Sequence, residues 1–439
     1  PVTSAHAEEL LQRYAPGRRF LDILAYGSPF EDAVFASHED YQRAVADLME
    51  QACVEAALGE ESPFMMAVGA LHAGRLRIKA WIAEGRIAAL GPDAATHAAG
   101  LDPAPEEVDC AGLVLLPGLV DLHTHLRQPG WCDVHPVGAV TVGLAGEALA
   151  DLGAMADSQA RVRMFSDDGM CVHDAVLMRR ALEYVKSFGG FVAQHAQEPN
   201  LTAGAQMNES ELSGVLGLAG WPAVAEEAII ARDVLLAQHV DSRLHVCHVS
   251  TAGSVELIRW AKAQGVAVTA EVTPHHLLLT EELVRSYDPV FKVNPPLRRE
   301  SDVMALRAGL ADGTIDTVGT DHAPHTAETK QCEWTVAAMG MTGLETALSV
   351  VQQAMVDTGL MDWAGVARVM STAPARIAGL TDQGQADERG VGVLGAEHRG
   401  AGHEHVRPGL GRAFDGLAVH AAVDLEGQRG GGAVEGAAG

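Results

Sequence analysis

Residues 116–130 read Leu-Pro-Gly-Leu-Val-Asp-Leu-His-Thr-His-Leu-Arg-Gln-Pro-Gly. An apolar run, Leu113 to Val120, leads here into a polar cluster that contains His123 and His125. Residues two apart on a strand point to the same side, so both imidazoles should project together from the strand's C-terminal end. Neutral imidazole is the commonest metal ligand in proteins. The pair therefore suggests half of a metal site, although a chain with 20 histidines contains other such pairs by chance.

From this stretch to about residue 380, apolar strand-like runs alternate with longer amphipathic stretches. This alternation is typical of βα repeats around a parallel sheet, and we predict an α/β fold, a TIM-like (β/α)8 barrel. Helices fit between most strands, for example at Asp174 to Phe188, Ala223 to His239 and Ser254 to Gln264. The seven strand candidates are Leu113 to Val120, Val134 to Val140, Arg161 to Phe165, Gly190 to Gln194, Leu244 to Cys247, Ala267 to Val272 and Ile315 to Gly319.

Five of these strands are followed at once by an imidazole or a carboxylate. In such barrels the functional groups come from the C-terminal ends of several strands, so these side chains should converge on one face. Four imidazoles and two carboxylates suit two closely spaced divalent metal ions, with Asp168 as a bridge. Asp321 could bind one metal and also carry a proton during amide hydrolysis. The six predicted ligands are His123, His125, Asp168, His195, His248 and Asp321.

Composition excludes several other classes of protein. With 31 basic and 58 acidic residues the net charge is −27, which disfavours nucleic acid and anionic membranes as partners. The six cysteines are scattered and form no Cys-x-x-Cys pair, so neither a zinc ribbon nor a disulfide framework is indicated. We find no signal-peptide pattern and no apolar run long enough to span a membrane. We therefore expect a cytoplasmic protein.

The segments outside the predicted barrel differ from it in kind. Residues 1–60 are expected to form a helical extension, with a helix at about 38–58, and residues 61–112 a small β domain that includes a hairpin at Arg75 to Leu90. The barrel is assigned to residues 113–380. The tail, residues 381–439, is rich in Gly and Ala and is expected to be partly disordered, with one possible strand at Leu417 to Val423.

One crossover is too short for a regular barrel. Only eight residues separate His125 from Val134, whereas a parallel crossover needs about a dozen or more. The barrel is therefore expected to lack its second βα unit. Either the neighbouring strands close a seven-stranded barrel, or the N-terminal extension fills the gap, or the chain folds poorly.

Six motifs together resemble the bacterial dihydroorotase family of the amidohydrolase superfamily. They are the opening stretch, Phe-Ser-Asp-Asp-Gly at 165–169, Gln-His-Ala-Gln-Glu at 194–198, His-Val-Ser-Thr-Ala at 248–252, Val-Asn-Pro-Pro-Leu-Arg at 293–298 and Thr-Asp-His-Ala-Pro-His at 320–325. The resemblance runs from about Val134 to Leu380. It implies a barrel enzyme with two Zn2+ ions per subunit that interconverts dihydroorotate and N-carbamoyl-aspartate in pyrimidine biosynthesis.

The resemblance also implies a role for each site residue. His123 and His125 would bind one zinc, His195 and His248 the other, and Asp168 would bridge them, while Asp321 would be both ligand and acid/base. Substrate contacts would come from Arg127, Asn294, His325, Met339 and Gly340. A guanidinium suits the substrate carboxylate, because it offers a planar fork to paired oxygens.

Three departures and two alternatives accompany the resemblance. First, the family has a βα unit after the His-x-His loop that is absent here, and Gln128 replaces the usual Glu. Second, the resemblance fades after Leu380, and third, residues 1–60 have no recognisable counterpart in the family. The alternatives are another cyclic amidohydrolase, such as an allantoinase or hydantoinase, and a catalytically impaired homologue that serves as a structural partner. A homo-oligomer or an association with aspartate carbamoyltransferase is also compatible with the resemblance.

Overall fold

The computed structural model describes residues 80–83, 86–90, 116–125, 133–380 and 418–422, with side chains for 116–125 and 133–380. The chain divides into two compact units. One comprises Pro1–Gly118, Asp362–Ala367 and Gln385–Asp415, and the other Leu119–Met361, Arg368–Gly384 and Gly416–Gly439. The second unit carries all the predicted metal ligands.

In the first unit, two strands form an antiparallel hairpin, β1 at Ala80–Ala83 and β2 at Arg86–Leu90. This agrees with the hairpin predicted at Arg75 to Leu90. The strands of the second unit are β3 at Val120–Thr124, β4 at Asp133–Val137, β5 at Met164–Phe165, β6 at Phe191–Gln194, β7 at Met207–Asn208, β8 at Gly220–Trp221, β9 at Leu244–Val246, β10 at Val268–Val272, β11 at Thr317–Val318 and β12 at Ala418–Ala422.

Eight parallel strands of the second unit follow one another in a closed order. One sheet has the order β11-β10-β9-β6-β5, and another has the order β3-β12-β4. A parallel bridge between Gly138 and Phe165 joins β4 to β5, and one between Thr124 and His322 joins β3 to the end of β11. The fold is therefore α/β with a parallel sheet, as the sequence predicts, and the carboxyl ends of these strands meet at one face.

The position next to β3 is occupied by a strand from the tail. Strand β12 pairs in parallel with β3 on one side and with β4 on the other. It coincides with the possible strand at Leu417 to Val423. The two arrangements expected from the short crossover, closure by seven strands or filling by the N-terminal extension, are thus both wrong for the described residues.

The first predicted strand has the wrong bounds. Among the described residues, β3 begins only at Val120 and runs to Thr124, because Pro117 lacks an amide hydrogen and Gly118 weakens an extended segment. His123 consequently lies inside the strand, and His125 directly follows it. The other six predicted strands overlap observed ones, with ends that differ by a few residues.

Helices cover the sheet through apolar faces at helical spacing. In Ala175–Lys186, the buried side chains are Met178, Ala181, Leu182 and Val185, and the Asp174 carboxylate caps the first turn by accepting from two backbone amides. The α-helices are Leu152–Asp157, Ala175–Lys186, Glu211–Leu216, Val224–Val240, Ala252–Ala263, Pro274–Leu278, Glu300–Asp312, Ala327–Lys330, Ala347–Val351, Trp363–Ala367 and Ala373–Ala378. Shorter 3-10 segments lie at Val142–Leu144, Glu281–Ser286 and Pro289–Phe291, and π-helical segments at Gln352–Val356 and Arg368–Thr372.

Several predictions fall on other parts of the chain. The N-terminal helix at about 38–58, residue Arg127 and most of the tail lie outside the described residues, and the division into four domains stays a prediction. Within the part of the chain that the structure describes, no helix is both long and apolar enough to cross a membrane.

Candidate metal centre

The strand ends bring all six predicted ligands together. His123 and His125 come from the end of β3, and Asp168 follows β5 by a short turn. His195 directly follows β6, while His248 and Asp321 lie just beyond β9 and β11. The side chains form two overlapping groups whose ligand atoms lie within 4.8 Å of one another, His123 with His125, Asp168 and Asp321, and Asp168 with His195 and His248.

The Asp168 carboxylate stands between the two groups. Its Oδ2 atom lies 3.2 Å from Nε2 of His123 and 3.1 Å from Nε2 of His125. Its Oδ1 atom lies 3.3 Å from Nδ1 of His195 and 3.2 Å from Nε2 of His248. Each oxygen thus faces a separate pair of imidazoles.

Asp321 belongs to the first group only. Its Oδ1 atom lies 3.2 Å from Nε2 of His125 and 3.5 Å from Nε2 of His123. Asp321 and His248 both have a positive φ, 46° and 30°. Non-glycine residues rarely adopt this conformation, and when they do it is often at a functional site. The backbone therefore holds these two side chains in place at some conformational cost.

Carboxylates give the cluster an excess of negative charge. Burial alone would lower the pKa of His123, but Asp168, Glu271 and Asp321 hold that pKa well above its usual range. Likewise, burial opposes protonation of His125, yet hydrogen bonds to Asp168 and Asp321 raise its pKa to about 9. The site attracts positive charge strongly, which is what a cation-binding site requires.

The two ring nitrogens of His123 have different surroundings. Among the described residues, Nε2 of His123 is buried and makes no well-aligned hydrogen bond, although Asp168 Oδ2 is 3.2 Å away. The other ring nitrogen, Nδ1, lies 2.5 Å from Glu271 Oε1 and must carry the proton that it donates there. Nε2, which faces Asp168 inside the cluster, is therefore the ring nitrogen that could exchange its proton for a metal ion.

Two acidic residues that support the site were not predicted. Glu271, on β10, is fully buried; it accepts from His123, and its other oxygen lies 3.2 Å from His245 Nε2. Asp121, on β3, accepts from the backbone amide of Thr320 at 2.9 Å and from its hydroxyl at 2.5 Å. Asp121 thereby joins β3 to the loop that carries Asp321. The sequence offers one signal for both, a carboxylate inside an otherwise apolar strand.

Several of the predicted substrate contacts form hydrogen bonds with other residues of the chain. The Nε2 of His325 donates to the Met339 carbonyl at 2.8 Å, and the backbone amide of Gly340 donates to the Lys292 carbonyl at 2.9 Å. Asn294 Nδ2 donates to Gln197 Oε1 at 3.3 Å. His325 is exposed, and Arg127 is outside the described residues.

Solved structures share the fold that carries this centre. A dihydropyrimidinase from Brevibacillus agri superposes with a TM-score of 0.57 at 20% identity, over 73% of this chain and 81% of that one. An L-hydantoinase (dihydropyrimidinase) from Arthrobacter aurescens superposes with a TM-score of 0.57 at 23% identity, over 70% of this chain and 80% of that one. The chain has the fold of these solved structures, and its buried His and Asp cluster could hold a metal ion.

Sequence relatives show the family to which the chain belongs. The chain is 57% identical to a dihydroorotase from Streptomyces coelicolor over 375 residues, 72% of this chain and 88% of the relative. It is 49% identical to a dihydroorotase from Mycobacterium tuberculosis over 363 residues, which are 72% of this chain and 83% of the relative. The family described as dihydro-orotase-like also matches residues 130–254. The chain belongs to the dihydroorotase family, enzymes of pyrimidine biosynthesis, and the predicted family and enzyme class are confirmed.

Proposed function

We propose that this chain binds two zinc ions and interconverts (S)-dihydroorotate and N-carbamoyl-L-aspartate. The observation that carries the proposal is the Asp168 carboxylate, whose two oxygens face separate imidazole pairs. Imidazole nitrogens and carboxylate oxygens are ligands that zinc accepts. His123 and His125 would hold one ion, His195 and His248 the other, with Asp168 between them and Asp321 on the first.

The metal ions would supply a water of lowered pKa and would polarise the amide carbonyl. Asp321 would move the proton, because its carboxylate borders the cluster beside His125 and is only slightly exposed. In ring opening it would accept a proton from the attacking water and return it to the leaving nitrogen. This division of labour needs no protein nucleophile.

The substrate contacts are proposed from the family motifs. Arg127 and His325 would bind the substrate carboxylate, since a guanidinium forms paired, charge-assisted hydrogen bonds with it. Asn294 would contact the ring together with the backbone near Met339 and Gly340. A requirement for this carboxylate would separate the chain from enzymes that open uncharged rings, whose solved structures share its fold.

The test uses the purified full chain, stripped with a chelator and reloaded with zinc. Ring opening is measured with dihydroorotate, dihydrouracil, hydantoin and allantoin, beside an Asp321→Asn variant as a matched control. We expect turnover of dihydroorotate alone, which is lost on stripping and restored by zinc, and no turnover by the variant. Opening of the uncharged rings instead would assign another cyclic amidohydrolase. Tight zinc binding without any turnover would favour a structural partner.

A further inference from the structure

Gln197 lies between a proposed metal ligand and a proposed substrate contact. Its Oε1 atom is 2.7 Å from Nε2 of His195 and 3.3 Å from Nδ2 of Asn294. Its Nε2 atom donates to the Thr202 hydroxyl at 2.9 Å. One side-chain amide therefore touches groups with two different expected roles.

The hydrogen-bond directions around Gln197 are fixed by its neighbours. The Thr202 hydroxyl donates to the Glu198 carbonyl at 3.0 Å, so it accepts from Gln197. The NH2 end of the Gln197 amide must then face Thr202, and its carbonyl oxygen must face His195 and Asn294. That oxygen can only accept, so both of these side chains donate to it.

The consequence for His195 is a defined tautomer. Its Nδ1 atom faces the cluster, 3.3 Å from Asp168 Oδ1 and 2.9 Å from His248 Nε2. With the proton held on Nε2 by Gln197, the Nδ1 lone pair is free to bind a cation. Partners of this kind orient metal-binding histidines and raise their basicity.

The consequence for Asn294 is a defined amide orientation. Because its NH2 group donates to Gln197, its Oδ1 atom is left as an acceptor. Among the described residues Oδ1 has no hydrogen-bond partner, although it is shielded from solvent. A buried acceptor without a partner is costly, so a ligand that donates a hydrogen bond would be favoured there.

We propose that Gln197 is a positioning residue that sets the metal-binding tautomer of His195 and turns Asn294 so that it accepts a hydrogen bond from a ring N–H of the substrate. This inference rests on the proposed function for the identity of the substrate. It assigns Asn294 to recognition of the ring amide and leaves the substrate carboxylate to other groups.

Two variants separate the two effects of Gln197. Gln197→Met keeps the length of the side chain but removes the acceptor, and it should weaken zinc binding roughly 10- to 100-fold, measured by competition with a chromophoric chelator. It should also raise KM for dihydroorotate about five- to tenfold, the loss expected for one hydrogen bond. Gln197→Glu retains an acceptor oxygen, so its zinc affinity should stay within about threefold of the wild-type value.

The control is Asn200→Ala. Asn200 lies in the same loop as Gln197, and its exposed side chain donates a hydrogen bond to Glu198. Its zinc affinity and KM should not change. Asn294→Ala should raise KM without changing zinc affinity, and its effect on KM should be less than additive with that of Gln197→Met. Melting temperatures of all variants verify that they are folded.

Unchanged zinc affinity and KM in a folded Gln197→Met variant would overturn the inference, even if the wild type turns over dihydroorotate. Equal loss of zinc affinity in Gln197→Met and Gln197→Glu would also overturn it, because the acceptor oxygen would then be irrelevant. Conversely, weaker zinc binding in a chain that never turns over dihydroorotate would uphold the role toward His195 and reject the proposed function.

Discussion

The most consequential structural prediction concerns strand β12. This strand, Ala418–Ala422, is registered against three residues of β3 and five residues of β4. A chain that stops after residue 380 would leave both neighbours unpaired in the wall of the sheet. Since β3 carries His123 and ends beside His125, the loss should reach the metal centre directly.

The magnitude follows from the three registered pairs with β3, whose residues are buried, because the five β4 residues that pair with β12 are exposed or only partly buried. If each of these three buried positions leaves one backbone group without a partner, at about 1–3 kcal/mol apiece, the cost is about 3–9 kcal/mol. The whole free energy of unfolding of a domain is about 5–15 kcal/mol. The truncated chain should therefore melt at a much lower temperature than the full chain and should retain little zinc.

The assay compares two truncations by thermal melting and by zinc content after gel filtration. A chain that stops after residue 423 removes the last 16 residues but keeps β12, and it should match the full chain. His420→Pro in the full chain should resemble the longer deletion, because proline cannot donate to the ladder of a central strand. A chain ending at residue 380 that melts and binds zinc as the full chain does would refute the pairing of β12 with β3.

Three further predictions concern single side chains of the second unit. Asp168→Asn should reduce bound zinc and abolish turnover, measured by metal analysis and by the dihydroorotate assay, because one amide oxygen cannot serve both imidazole pairs; retention of full zinc would contradict the bridging role. Glu271→Gln should weaken zinc binding roughly 10- to 100-fold, since the carboxylate that orients His123 is lost; unchanged affinity in a chelator competition would reject this role. Burial raises the pKa of Asp233 to about 6, so the folded chain takes up a proton more readily than the unfolded chain and gains stability as the pH falls from about 6 to about 4. The difference in melting temperature between the wild type and Asp233→Asn should therefore shift in favour of the wild type as the pH is lowered from about 7 to about 5. A difference that stays constant over this range would exclude the raised pKa of Asp233.

The sequence predicts the centre better than it predicts the frame around it. All six expected ligands converge because a polar residue directly after a buried parallel strand has little choice of position. The supporting carboxylates Glu271 and Asp121 escaped prediction, since whether a carboxylate within a strand faces a metal ligand depends on partners far along the chain, such as His123 and Thr320.

The frame was harder to predict because strand pairing is a long-range property. The short crossover after His125 shows that a neighbouring strand is missing from its usual place in the chain, but nothing local identifies its replacement. The pairing of residues 418–422 with Val120–Thr124 joins segments almost 300 residues apart. Strand bounds shifted for a simpler reason, because Pro117 and Gly118 interrupt the run that hydrophobicity alone extends.

The most direct test of the two-metal account is the zinc content of the purified full chain, measured by elemental analysis against protein concentration. We expect close to two zinc ions per chain, with dihydroorotate turnover that rises as zinc is restored to stripped protein. A folded, monodisperse chain that binds no zinc when supplied with it, or that turns over dihydroorotate fully without metal, would contradict the account.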